Sequence, residues 1–346
     1  MANETQVETC VCSFGAGILS HHLRAFQIEI DGVRNGNDIE FIHRMRVATR
    51  RLRSALPLFA FCFPQKKVSK WLKQIKLITS AMGAARDTDV QIDLLQRVAA
   101  EASEKRFLPG LKRLHLRLSQ SRMLMQNDIH LALNKIIDSG ILVEMDAALQ
   151  PLIKHNQTGV PYPHTLYRLS AEIIQQRLTK MLSYEAYIHQ PECVNELHAM
   201  RIATKWLRYT LETFAALYSN QLKNHLAAVK QAQEVLGSIH DCDVWEIYIP
   251  QFVEEERKRI VDFYGHTNPL NPLLPGLQYF RQNRLEKRQV EYSLFLNDWH
   301  KWQKKAIWPE LERIIEQPLV ITENMYPPLG NIGLPETSEG LDSFAG

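Results

Sequence analysis

Two stretches of this chain carry the same cations at the same spacing: His43, Arg46, Arg50 and Arg53 return 155 residues later as His198, Arg201, Lys205 and Arg208. Guanidinium groups present paired donors that match phosphate oxygens, and an ammonium adds a compact charge. The chemistry open to such a set is the grip of a phosphate-rich anion. On a helix advancing about 100° per residue, each set falls within an arc of roughly 80°. Like charges one turn apart cost an isolated helix about 0.2–0.5 kcal/mol per pair. An anionic partner offsets that cost.

The stretches themselves are His43–Phe59, HRMRVATRRLRSALPLF, and His198–Phe214, HAMRIATKWLRYTLETF, identical at nine of seventeen positions. Met45, Leu52, Leu56 and Phe59 lie opposite the cations and form the stripe by which the helix packs on a core. Further positions recur at nearby offsets: Lys76, Gly83, Asp87, Asp89 and Val90 as Lys230, Gly237, Asp241, Asp243 and Val244, then Pro109, Gly110, Leu111 and Arg122 as Pro275, Gly276, Leu277 and Arg288. A repeat of this length reads as a duplicated unit. Lys76, Lys230, Arg122 and Arg288 are expected to add a second tier of cations to the same groove.

Charge is segregated although the net formal charge is only +3. Phe41 to Arg86 holds eleven Lys and Arg and no acid, and Lys105 to Asn127 holds six more, again without an acid. Such runs predict a local positive field and a polyanionic partner. The pairs Asp87/Asp89 and Asp241/Asp243 resemble Mg²⁺-binding DxD pairs. They are read instead as helix caps and partners of nearby arginines, with no metal site.

The elements that must position these groups are helices, since the 3.6-residue period dominates and strand signals are scarce. Residues 1–14 are polar and expected to be loose. A helix from Gly15 closes at DGVRNGND, and the basic helix runs from about Asp38 to Phe61, with Pro57 kinking its end. Another runs from Pro64 to Gly83, a fourth starts at Asp87 or Thr88, and a long one spans Leu111 into the 130s, interrupted at Gly140. NQTGVPYPH reads as a linker between halves. The second half repeats the order, with helices from about Thr165, Pro191 and Gln221, one after HDCDV, and one from Leu277 to Trp302. Beyond Pro318 come only acids (Glu323, Glu336, Glu339, Asp342) among prolines and glycines, the pattern of a disordered tail. The expected organisation is a flexible 1–14, helical repeats over 15–157 and 158–316, and an acidic tail over 317–346.

Five cysteines, Cys10, Cys12, Cys62, Cys193 and Cys242, give no even framework, which predicts a reducing, cytoplasmic setting. No basic segment followed by an apolar run opens the sequence, and no apolar run approaches 18 residues, so neither signal peptide nor membrane insertion is expected.

The stretch His43–Phe59 followed by Gly83–Val90 (GAARDTDV), then Leu197–Tyr209 (LHAMRIATKWLRY) with Leu236–Gly237 and Asp241–Val244 (DCDV), resembles the CHAD domain family, a histidine-containing α-helical domain, over roughly residues 15–305. The resemblance implies an all-α fold of two four-helix bundles related by a pseudo-two-fold internal repeat, with a basic central groove or pore. It also implies binding of inorganic polyphosphate and association with polyphosphate granules. Many relatives carry a fused CYTH-type enzyme domain, for which this sequence has no room and no acidic EXEXK-like start. His240 replaces Arg86 and Trp206 replaces Arg51 in the second copy, so the two faces are expected to contribute unequally.

The expected function is non-catalytic polyphosphate binding, without a cofactor. Nucleic acid is the alternative ligand, disfavoured because the basic helices offer few aromatics for base stacking. A polyphosphate or triphosphate hydrolase is the enzymatic alternative. It lacks support from a Gly-rich phosphate loop, an HExxH motif or a recognisable nucleophile.

Overall fold

A computed structural model describes residues 2–35, 39–153 and 162–325. Among these residues all regular structure is helical: α1 (Ala2–Ile28), α2 (Ile30–Asn35), α3 (Ile39–Ala55), α4 (Gln65–Glu101), α5 (Leu108–Asp138), α6 (Ile141–Ile153), α7 (His164–Leu182), α8 (Val194–Phe214), α9 (Lys223–Tyr264), α10 (Leu274–Lys304) and α11 (Ile307–Met325). The basic helices are α3 and α8. Pro57 acts as expected, since α3 tightens into a 3-10 run over Leu56–Cys62 with the proline in its first turn.

Gly83 and Gly237 do not end helices. α4 and α9 run straight through them for 37 and 42 residues. A mid-helix glycine costs about 1 kcal/mol relative to alanine. Breaking the helix there would cost more, because Ile78, Met82 and Ala85, on both sides of Gly83, are buried along one face of α4. Asp87, Asp89, Asp241 and Asp243 therefore sit inside helices and cap nothing, which corrects that part of the sequence reading. Where glycine does end or reverse the chain, it takes the left-handed backbone, as at Gly140 after α5 and Gly265 after α9 (φ 68° and 75°).

α4 with α5, and α9 with α10, form two long hairpins. The larger core draws on both halves of the chain: Met45, Leu52 and Phe59 meet Met200, Leu207 and Phe214 in one cluster. Phe14, Phe59 and Phe214 touch pairwise at ring distances of 6.0–6.2 Å. A second core lies where the hairpin ends meet, with Leu95, Leu111 and Leu114 against Trp245, Phe252 and Phe280. There α5 and α10 cross backbone to backbone. A Cβ on Gly110 would stand 2.1 Å from the Leu273 carbonyl oxygen, and one on Gly276 would stand 2.0 Å from that of Phe107. The repeated Pro-Gly-Leu triplets thus mark the point where the two hairpins touch.

The chain ends differ from expectation. Helix α1 begins at Ala2 and buries Val11 and Ser13, so the segment before Gly15 is not a loose lead. Helix α11 carries helical structure past Pro318, into what reads in sequence as tail, while Leu311, Ile314 and Ile315 ahead of that proline are buried. Linker residues 154–161 and tail residues 326–346 lie outside the described residues.

Cys12 and Cys62 form a disulfide, with 5.5 Å between their Cα atoms, because α1 packs along the 3-10 run that follows α3. Cys10, Cys193 and Cys242 are free. The cysteine argument for a reducing compartment is thereby removed, since sequence spacing gave no sign that positions fifty apart would meet. Opening this loop is expected to cost about 4 kcal/mol by chain entropy. Urea unfolding with and without a phosphine reductant, with Cys62→Ser as the non-reducible comparison, checks that figure; equal midpoints would contradict it.

Candidate functional site

Helices α3 and α8 lie against each other, and the cations of their outer faces converge. Arg46, Arg50 and Arg53 from α3 meet Arg201 and Lys205 from α8 around a cavity of about 680 Å³, closed by α4, α9 and α10. The two helical glycines lie beside these arginines. The position a Cβ would take on Gly83 is 4.0 Å from Arg46 Nε, and on Gly237 it is 3.8 Å from Arg201 Nε. A larger side chain at either place would meet the guanidinium.

The cations crowd one another. Burial and the neighbouring Arg46 and Arg208 pull Arg50 down to about 10, against the opposing pull of Asp87 and Glu212. Burial, then Arg201, Arg50, Arg53 and Arg46, bring Lys205 down to about 8. Among the described residues neither makes an ion pair; each instead lies by an aromatic ring, Arg50 at 5.2 Å from Tyr209 and Lys205 at 5.6 Å from Trp206. Arg46 has a partner in Asp87 at 3.2 Å, but that carboxylate is mostly exposed. Burial also lowers Arg53. Eight cations line this cavity against three acids, Glu234, Asp241 and Glu291, and such an excess of positive charge is the electrostatic signature of an anion site.

Other residues of the expected set lie elsewhere. Arg208 pairs with Glu212 at 2.8 Å, and Arg51 reaches the same carboxylate at 3.5 Å. Arg122 binds Asp89 at 2.7 Å, while Arg288 binds Asp243 and the Pro191 carbonyl. These matched pairs tie the long hairpins internally, so the second tier is structural and does not line the cavity. Lys76 is exposed, and Lys230 sits 3.8 Å from Glu234 in solvent. His43 and His198 are also off the cavity wall, each with its Nδ1 buried and without a hydrogen bond. The His198 ring lies against His240, tilted by 34° with centroids 4.1 Å apart. Burial, then Arg201 and Lys205, lower its pKa, which favours neutral imidazole over the phosphate-binding imidazolium.

The second acid-free run also loses its charge in space. Glu256 on α9 is fully buried and takes Arg113 at 2.8 Å and Arg117 at 2.7 Å from α5, together with Arg259 at 2.7 Å. A run without acids in sequence is not without acids in the fold, because Glu256 on α9, 143 and 139 residues away from Arg113 and Arg117, supplies one. What sequence reasoning missed at the cavity is its far end, where Arg97, Arg284 and Lys287, the last paired with Glu291 at 2.5 Å, join the wall, and its aromatic side, Trp206, Tyr209 and Trp245. None of the three cations is in a repeated position, so the internal repeat could not point to them.

The family model for the CHAD domain matches residues 17–249. The chain belongs to the CHAD domain family. Among solved structures it is similar to the CHAD domain from the plant Ricinus communis, at 24% identity and a TM-score of 0.61, covering 84% of this chain and 91% of that one. It is also similar to PptA from Streptomyces chartreusis, at 13% identity and a TM-score of 0.58, covering 84% and 99%. At these identities the likeness is one of fold. A search of curated proteins found no significant match. No helix among the described residues is long and apolar enough to cross a membrane.

Proposed function

We propose that this CHAD domain binds inorganic polyphosphate, without turning it over, in the cavity between α3 and α8. The observation that carries this reading is the convergence of Arg46, Arg50, Arg53, Arg201 and Lys205 on one cavity, with Arg50 and Lys205 held charged against their own repulsion. A polyanion relieves that repulsion and gains charge-assisted hydrogen bonds together. Polyphosphate suits the wall better than nucleic acid does, because Tyr209 and Trp245 are 7% and 2% exposed and the half-buried Trp206 ring already lies by the Arg177 and Lys205 cations, which leaves little face for a base.

Ligand that binds only the folded state raises its melting temperature with concentration. Long-chain polyphosphate at low salt is expected to do so, an equal phosphate concentration of oligonucleotide to do so less, and phosphate release to stay at background with or without Mg²⁺. No shift with polyphosphate would overturn the reading.

Binding should also depend on pH in a defined direction. Lys205 is depressed to about 8 in the free protein, and a bound anion favours its protonated form and raises that value. Below pH 8 the lysine is already charged and little changes. Between about 8 and the ordinary lysine range, binding takes up a proton and affinity falls as pH rises. Calorimetry at pH 8.5 in two buffers of different ionisation enthalpy reads that uptake; Lys205→Arg is expected to abolish it.

A further inference from the structure

We propose that Arg97 and Arg284 form a second anion subsite at the far end of the cavity, separated from the α3/α8 cluster by a mainly apolar belt, and that this subsite makes the protein select long chains. The inference rests on the polyphosphate reading and adds a specificity device to it.

Two groups of cations line one cavity. The first surrounds Gly83, where Arg46 lies against α4. The second includes Arg97 on the same helix, fourteen residues further on, which is about 21 Å along the axis at 1.5 Å per residue. Between them the wall is mainly apolar, with Val90, Leu94, Cys242 and Trp245, and Asp241 beside them is pushed by burial toward its neutral form, so this stretch offers little to a phosphate oxygen.

The far group has the character of the near one. Arg284 is only 8% exposed, makes no ion pair among the described residues, and rests over the Phe280 ring at 5.5 Å while donating from Nε to Asn283 Oδ1 at 3.1 Å. Burial lowers its pKa, and of the nearby groups Cys242 and Glu101 oppose that while Arg97 adds to it. Lys205, by contrast, feels Arg201, Arg50, Arg53 and Arg46. Arg97 and Arg284 repel each other as the cations of the near cluster do, while the neighbouring Lys287 is paired with Glu291.

An orthophosphate or tripolyphosphate ion can satisfy one cluster. A chain long enough to cross the apolar belt satisfies both, and its second contact is intramolecular once the first is made. Linked contacts of this kind raise affinity by about 10²–10⁴ over the single contact when the linker spans the gap. Below the bridging length, each added unit gives little; at it, affinity steps up.

The test is a ladder of polyphosphates of defined length, from tripolyphosphate upward, titrated into wild type, Arg97→Gln and Arg97→Gln/Arg284→Gln at fixed salt, with circular dichroism to verify folding. Arg97 is exposed, so the single variant folds irrespective of the role of buried Arg284. The expected result is a step in wild type that shrinks at least tenfold in the double variant and measurably in the single one, while tripolyphosphate affinity stays within twofold of wild type. A step of unchanged height in Arg97→Gln and the double variant, or a parallel loss for short and long chains, overturns the subsite. If wild type binds no member of the ladder, the polyphosphate reading falls and the subsite falls with it.

Discussion

Polyphosphate affinity of an Arg50→Met/Lys205→Met variant is expected to fall at least a hundredfold at low salt, while its melting temperature rises. Hydrogen bonds to charged groups contribute about 1.5–3 kcal/mol each, so losing two removes about 3–6 kcal/mol, or roughly 10²–10⁴ in affinity. The opposite sign for stability follows from the crowding. Both residues are pulled down in pKa by burial and by neighbouring cations, and neither is ion-paired among the described residues. Methionine keeps much of the side-chain volume, keeps contact with Tyr209 and Trp206, and removes the repulsion. Titration beside a thermal melt measures both effects. A variant that loses binding and stability together would mean that these cations hold the fold, as Arg122 and Arg288 do, and would remove the case for a site. Opposed changes in stability and function are the usual mark of residues kept for ligand.

The largest structural effect is expected at Gly276. Alanine there places a Cβ 2.0 Å from the Phe107 carbonyl oxygen and 3.1 Å from Gly110 Cα, both backbone atoms of the opposite hairpin. Neither can rotate away, so α5 and α10 must separate, and the stacked pair Phe107–Tyr279, now 4.4 Å apart, opens with them. Overpacking costs about 1–3 kcal/mol where side chains can adjust. Against backbone about 3 kcal/mol or more is expected, well beyond the roughly 1 kcal/mol that alanine returns in helix propensity. Gly17 is the control, since nothing lies within 4 Å of its would-be Cβ on α1. Gly17→Ala should therefore hold or gain stability. Denaturant unfolding of the two variants beside wild type decides the matter; a Gly276→Ala midpoint equal to that of Gly17→Ala would show that the crossing is not tight.

These two sites show how unevenly the sequence speaks. The all-α class and the two basic helices are legible from local period, because Leu52, Leu56 and Phe59 recur at helical spacing opposite the cations. The five cations of the near cluster are legible from duplication. Gly276 is visible as a repeated position, yet its reason, a backbone crossing, is not. Arg122 and Arg288 look the same in sequence as Arg46 and Arg201, being repeated cations on repeated helices. What separates them is that Asp89 and Asp243 neutralise one pair inside its own hairpin, while Asp87 meets Arg46 at the exposed rim. Arg97 and Arg284 had no signal at all, being unrepeated and flanked by ordinary helix surface.

By itself, then, the sequence determined helix content, the pairing of α3 with α8 as like elements, the bend at Pro57 and which side chains could hold an anion. Those properties depend on neighbours within one or two turns, where side-chain type and spacing fix the outcome. Only the tertiary structure decided which cations stay uncompensated, that Cys12 meets Cys62, that α4 and α9 run unbroken through their glycines, and that the cavity has a second cationic end. Each of these is set by groups brought together from distant parts of the chain. Charge balance, disulfide geometry and helix length in a core are sums over space, and sequence order does not list their terms.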